Sequence, residues 1–293
     1  DSTLSPVIRK WSPATEIGLE CFRMERIDNP GGLCYNINFV GAYNCFVRGI
    51  ESSNSISSHI EIDNSSNISV SASHFHHAFA YDGVSTHGYG ITLFAHSGQC
   101  LIENNIMHHL RHCFSFQTGA NGNVVAYNYS FDPNRSESPA NYGADISLHG
   151  HYPYANLFEG NVVQNIGIDQ TWGPNGPGNT FLRNRVELYG IIVTAGTVPT
   201  DSLILIGNEI PNTTFLMGLY LLSGSGHYDY GNMVKGVLTP AGTNALTDTS
   251  FYLTRPPYFW TNNPWPCIGP FGQASTCPAK ERYATGTDLS PCS

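Results

Sequence analysis

"NVVAYNYS", Asn123 to Ser130, sets two asparagines five positions apart around a short apolar run. The same frame returns as "NLFEGNVV" from Asn156 and as "NTFLRNRV" from Asn179. Each copy reads as one short β-strand closed by turn-forming residues. Working outward, frames open at Cys21, Asn44, Asn67, Cys100, Asn123, Asn156, Asn179 and Ser202, in steps of 23 residues lengthened twice to 33. A fixed period of this size marks a solenoid in which each repeat buries its apolar side only against its neighbours. The step is short for a propeller blade and lacks the leucine pattern of a leucine-rich repeat. A parallel β-helix fits it, and "NVVAYNYS" is then one rung.

In that fold Asn105, Asn128, Asn161, Asn184 and Asn208 recur at one place in successive coils, where side-chain amides can hydrogen-bond up and down the stack. Four five-residue stretches, "HIEID", "GITLF", "CFSFQ" and "DISLH", alternate as a second strand of each coil. Ile60, Ile62, Ile91, Leu93, Phe114, Phe116, Ile146 and Leu148 then face inward, and Asp63, Phe94, Gln117 and His149 form an outward strip.

Composition agrees with this reading. Only 12% of the 293 residues are charged, while glycine, asparagine, serine and aromatics are abundant, as in an ordered β-rich chain. A formal net charge of -9 opposes nucleic acid and anionic membrane surfaces as partners. No apolar run approaches the roughly 20 residues of a membrane span. The first residue is Asp1, with no signal-like leader, as expected of a processed or excised form. None of the eight cysteines forms a CxxC pair, so a thiolate metal site is not expected. Cys267, Cys277 and Cys292 lie in a proline-rich tail where a disulfide staple would suit a secreted or cell-surface protein.

The repeated frames, together with "LIENNIMHHLRH", "GANGNVVAYNY" and "HGHYPYANLFEGNVVQN", make the chain resemble the right-handed parallel β-helix proteins of the pectate-lyase-like superfamily, from Ile17 to Met233. The resemblance implies an all-β, right-handed parallel β-helix over 1–255. The Pro/Cys-rich segment 256–293 is expected to cover the apolar end of the last coil. It also implies a polysaccharide partner and a lyase or glycoside hydrolase activity. A non-catalytic structural, adhesive or filament-forming module, self-associating through its coils, is the second reading. A divalent cation such as calcium is the cofactor class the resemblance suggests, although the central coils hold no dense run of aspartates.

The two lengthened coils contain "YDGVSTHGYG" (81–90) and "PNRSESPANYGAD" (133–145), expected to rise on one side and wall a groove. Ten of the twelve histidines fall between His74 and His151, around these insertions. Counted from the frame starts, His76, His109, Asp132 and Asn165 share a column. The candidate catalytic residues are therefore His109, Arg111, His112, Asp145 and His149. A histidine would take a proton, and Arg111 would meet an anionic or hydroxyl group of a saccharide. The candidate substrate-binding residues are His76, His87, Tyr89, Gln117, Tyr142 and His151. For a hydrolase, Asp132, Glu137, Asp145 and Asp169 are the available carboxylates. The bland alternative is that the histidines are a polar ladder on one face of the solenoid.

Overall fold

The structure is a computed structural model that describes residue 7 and residues 10–244, 246–260, 264–269, 274–286 and 289–292. The chain is an all-β parallel solenoid of about nine turns. Each turn contributes one strand to each of three faces. Successive strands of the first face include Ala42–Arg48, Ser66–Ser71, Leu101–Glu103, Val124–Ala126, Leu157–Glu159 and Thr180–Leu182. The second face stacks Glu51–Ser55, His74–Ala78, Ile106–His108 and Tyr129–Phe131, and the third stacks Ser58–Asp63, Tyr89–Phe94, His112–Phe116 and Ile146–Gly150. Val162–Trp172 and Arg185–Val193 each run continuously from the second face into the third, which joins those faces into one hydrogen-bonded sheet. Pairing between these coils is parallel throughout, and the antiparallel hairpin Asn232–Val234 with Val237–Thr239 follows the last rungs.

The eight residues expected to face inward are all fully buried, in a column running the length of the solenoid. Alternation along a strand explains this, since odd and even side chains leave by opposite faces. A strand with both an inner and an outer face therefore keeps its apolar set in the core.

The asparagine frame proves to be two ladders. Asn105, Asn128, Asn161, Asn184, Asn208 and Asn232 stack between the first and second faces, linked by Nδ2-to-Oδ1 bonds of 2.8 to 3.1 Å. Each Oδ1 also accepts the backbone N–H of the asparagine one coil earlier, as Asn128 does from Asn105 at 2.9 Å. Asn123, Asn156 and Asn179 form a second ladder between the third and first faces. Toward the N-terminus, Ser73 continues the first ladder, while at the other corner Ser65 and Ser97 make a separate column three residues earlier, accepting the Ala42 and Ser65 amides. Two buried corners thus gain backbone partners that the strands cannot supply, and each three-residue strand of the first face is pinned at both ends.

The register differs from the counted one by small amounts with large consequences. Ser69 pairs with Leu101, a step of 32 rather than 33, and Gly18 pairs with Phe46, a step of 28. His76 therefore lies beside His108, not His109. His77, His109 and Asp132 all turn the next corner with φ between 52° and 59°.

The tail also departs from expectation. Rather than covering the end of the last coil, its described residues run back along the outside of the solenoid. Arg183 donates to Ile268 O, Gly269 N–H to Glu209, Trp265 Nε1 to Tyr127, and Arg282 to Asn104 O. The helix Pro278–Thr285 packs on the second face, with Tyr283 4.1 Å from the Phe131 ring. Cys292 Sγ reaches Gly49 O in an early coil. All eight cysteines are free, so the expected tail staple is not formed; Cys277 is instead buried against Asn128 O.

Candidate functional site

The two insertions do meet on one side, at the corner between the second and third faces, but they do not stand as separate walls. Gly83 N–H donates to Glu137 Oε1 at 2.7 Å and Ser136 N–H to Tyr81 O at 3.1 Å. They join above the intervening coil, whose corner residue is Arg111. The arginine lies under this roof, donating to Ser85 O at 3.3 Å and to the Tyr89 hydroxyl at 3.4 Å, with its guanidinium 5.5 Å from the Tyr89 ring. Among the described residues Arg111 forms no ion pair, either with Asp132 or with Asp145. Its hydrogen bonds go to neutral oxygens, while its charge, after backbone hydrogen bonds, helps to hold the neighbouring Glu137 carboxyl below its usual value.

From this roof a cleft of about 310 Å³ opens along the outer side of the third face. Tyr89, Arg111, Gln117, His149 and Trp172 line it, with residues 83–86 of the first insertion. The strand register explains the grouping. Tyr89 is the neighbour of His112, and Phe116 of Leu148, so Gln117 and His149 follow side by side on the outward strip.

His149 is the most organised group. Its Nδ1 lies 2.6 Å from Asp169 Oδ2, and both side chains are partly buried. The carboxylate accepts the Nδ1 proton, which leaves Nε2 as the basic nitrogen. Burial by itself would raise the Asp169 carboxyl, but the bond to His149, its charge and the Thr171 amide outweigh it and hold the group below its usual value. Gly150 follows His149 at φ 80°, where a Cβ would come within 2.5 Å of Gly173 O. Glycine here lets the strand bulge and separates His149 from His151, whose ring stacks on Trp172 at 5.9 Å.

His112 belongs to the floor. Its Nδ1 donates to Ala144 O at 2.8 Å and its ring stands edge-on to Tyr89 at 4.7 Å. Burial, with the neighbouring Arg111 charge, pushes it down to about 3, so the imidazole is neutral at neutral pH. Burial keeps the Tyr89 phenol above its ordinary value and protonated.

Other expected site residues lie elsewhere. Asp145 is fully buried on the inner side of the coil, accepting the Gln164 and Asn165 amides, and is not a groove residue. Its position is the neighbour of Cys113, and the alternation that sends His112 outward sends both of these inward. Burial raises its carboxyl to about 6. His109 and His76 sit on or beside the second face. His109 bonds Asp132 at 2.7 Å, and Asn165 is buried away from that pair, so the expected four-member column is broken. His87 pairs with Asp82 inside the first insertion, and Tyr142 stands edge-on to Tyr189 beside a smaller cavity. Trp172 and the pairing of Asp169 with His149 escape sequence reasoning. The one available signal was the "DQTW" ending of a strand beside the outward strip.

A parallel β-helix with an arginine- and histidine-lined cleft on its third face is thus the class that fold and site define. No protein-family model matches the chain, and a search of curated proteins finds no match. Among solved structures, a pectate lyase variant from Xanthomonas campestris aligns with TM-score 0.34 and 12% identity, over 71% of this chain and 66% of that one. The fold assignment stands on the coil geometry itself.

Proposed function

We propose that the protein is a polysaccharide lyase acting on a uronate-containing polymer in the third-face cleft. One observation carries the reading: an arginine whose direct hydrogen bonds go to neutral oxygens and a histidine bonded to a carboxylate line the same open cleft. Elimination beside a uronate needs both. Arg111 meets the sugar carboxylate and stabilises the charge that develops there, and His149 Nε2 takes the proton from the adjacent carbon. The electron pair forms the ring double bond as the bond to the leaving glycosidic oxygen breaks, and the protonated Tyr89 phenol supplies that oxygen with its proton. Trp172, 54% exposed, offers a stacking face for a neighbouring sugar.

A glycoside hydrolase fits less well, because it needs two carboxyl groups facing one bond. Here Asp132 is on another face, Asp145 is inside, Glu137 ties the insertions together and Asp169 is bound to His149. A polymeric substrate places the protein outside the cell or at its surface.

The test is a panel of uronate and neutral polysaccharides followed for reducing ends and for the ultraviolet absorbance of unsaturated uronates. Both signals together are expected on at least one uronate polymer. Reducing ends without absorbance would make the enzyme a hydrolase, and silence on every polymer would favour a non-catalytic scaffold.

A further inference from the structure

We propose that Glu51, His74 and His76 form a binding site for a divalent transition ion of the zinc class on the outer side of the second face. His74 and His76 are two apart on one strand and so project to the same side, with Phe75 between them in the core. Glu51 is the register partner of His74 in the adjacent coil. One ligand atom from each of the three lies within 4.8 Å of the others.

The independent sign of a ligand is His74. It is only 7% exposed, yet its Nε2 is buried without a hydrogen-bond partner. Buried ring nitrogens are ordinarily satisfied, and a metal ion satisfies one directly. His76 is already aimed: its Nε2 is 3.1 Å from Glu51 Oε1 and its Nδ1 is 2.9 Å from His77 Nδ1. Without metal, His77 donates to His76 and His76 donates to Glu51. With metal, the His76 Nε2 proton is released to solvent and the lone pair ligates; the proton that His77 donated moves onto His76 Nδ1, and His77 takes a solvent proton on Nε2, so that both rings stay neutral and His76 Nδ1–H donates to His77. His77 thereby becomes the outer-shell partner that fixes ring orientation.

The donor set selects the ion. Two imidazoles and one carboxylate suit zinc and its first-row neighbours, whereas calcium and magnesium require oxygen ligands. Three protein ligands leave a coordination position for water. Arg23 is the rival for Glu51, with Nε 3.6 Å from Oε1, but its side chain is 63% exposed and free to swing away. His108 lies parallel to His74 at 6.5 Å and is drawn toward Asp132, so it flanks the site without joining it. This site is on a different face from the cleft and does not depend on the lyase reading.

Titration of the full chain with Zn²⁺ alone, with Co²⁺ as an optical probe, decides the matter. One tight equivalent per chain is expected, with the visible absorption of low-coordinate cobalt. Glu51→Gln, at a partly exposed position where the near-isosteric amide should leave folding intact, and His74→Gln should each weaken binding by about 100-fold or more, and His77→Ala by about tenfold. Control changes at His96 and His227 should leave affinity unaltered. Absence of stoichiometric binding, or binding that survives Glu51→Gln but is lost on His109→Ala, overturns the proposal.

Discussion

The second and third faces each carry a row of histidines a few ångströms apart, and they use them differently. On the third face His149 has a carboxylate on one nitrogen and an open cleft before the other, the arrangement the proposed proton transfer requires. On the second face His74, His76, His77 and His108 mostly face one another, their rings 4.5 to 6.5 Å apart. Each disfavours a proton on its neighbours, and His108 is pushed down to about 4 by burial first and then by His77. Rings kept neutral in this way suit the lone-pair donation that the proposed metal site requires. Partner and access, not residue type, separate the two chemistries.

The strongest way to break this comparison is to remove one histidine from each face. His149→Ala should lower turnover on a uronate polymer by roughly 10²- to 10⁴-fold, whereas His109→Ala should leave it unchanged. Equal losses, read by unsaturated-product absorbance, would dissolve the distinction. Arg111→Ala is expected to cost about 100-fold in kcat/KM, partly restored by lysine, because charge at that point serves the substrate carboxylate. Asp169→Asn should cost at least roughly tenfold in kcat with little change in KM, since it removes the group that orients His149 rather than one that holds sugar.

Smaller effects sharpen the architectural side. Asn161→Ala should destabilise by about 1–3 kcal/mol in denaturant titrations, because the Asn128 amides lose their shared acceptor in a buried corner. His112 supplies a pH signature. With a folded value near 3 against an ordinary 6.5, its unfolded form binds the proton first. The stability it contributes is complete above pH 6.5 and is lost as pH falls toward 3. Asp145, raised to about 6, acts in the opposite direction over the upper part of that window. Because Asp145 titrates in both proteins, the difference isolates His112, and wild type should lose about 2 kcal/mol more than His112→Gln between about pH 7 and pH 5, as measured by thermal unfolding at each pH.

Legibility varied with the kind of information. The frame of Asn123 and Asn128 declared the coil, because only stacked rungs give a buried amide the same partner again and again. The alternation around Ile60, Phe114 and Leu148 likewise declared the core, and the lengthened coils marked the side of the cleft. Tyr89, Arg111, Gln117 and His149, expected near those coils and on the outward strip, line one cleft there. The sequence by itself thus determined the solenoid, its approximate period and one of its two asparagine ladders. Only the tertiary structure decided which side chains share a face. Side chains alternate with a period of two, so a slip of one residue in a 32-residue coil exchanges His108 for His109. Counting cannot resolve that slip, because an insertion can absorb one residue without leaving a trace in the pattern. The partner of His149, the inward turn of Asp145 and the return of the tail along the coils are likewise contacts between residues 19 to more than 200 positions apart, set by packing rather than by local grammar.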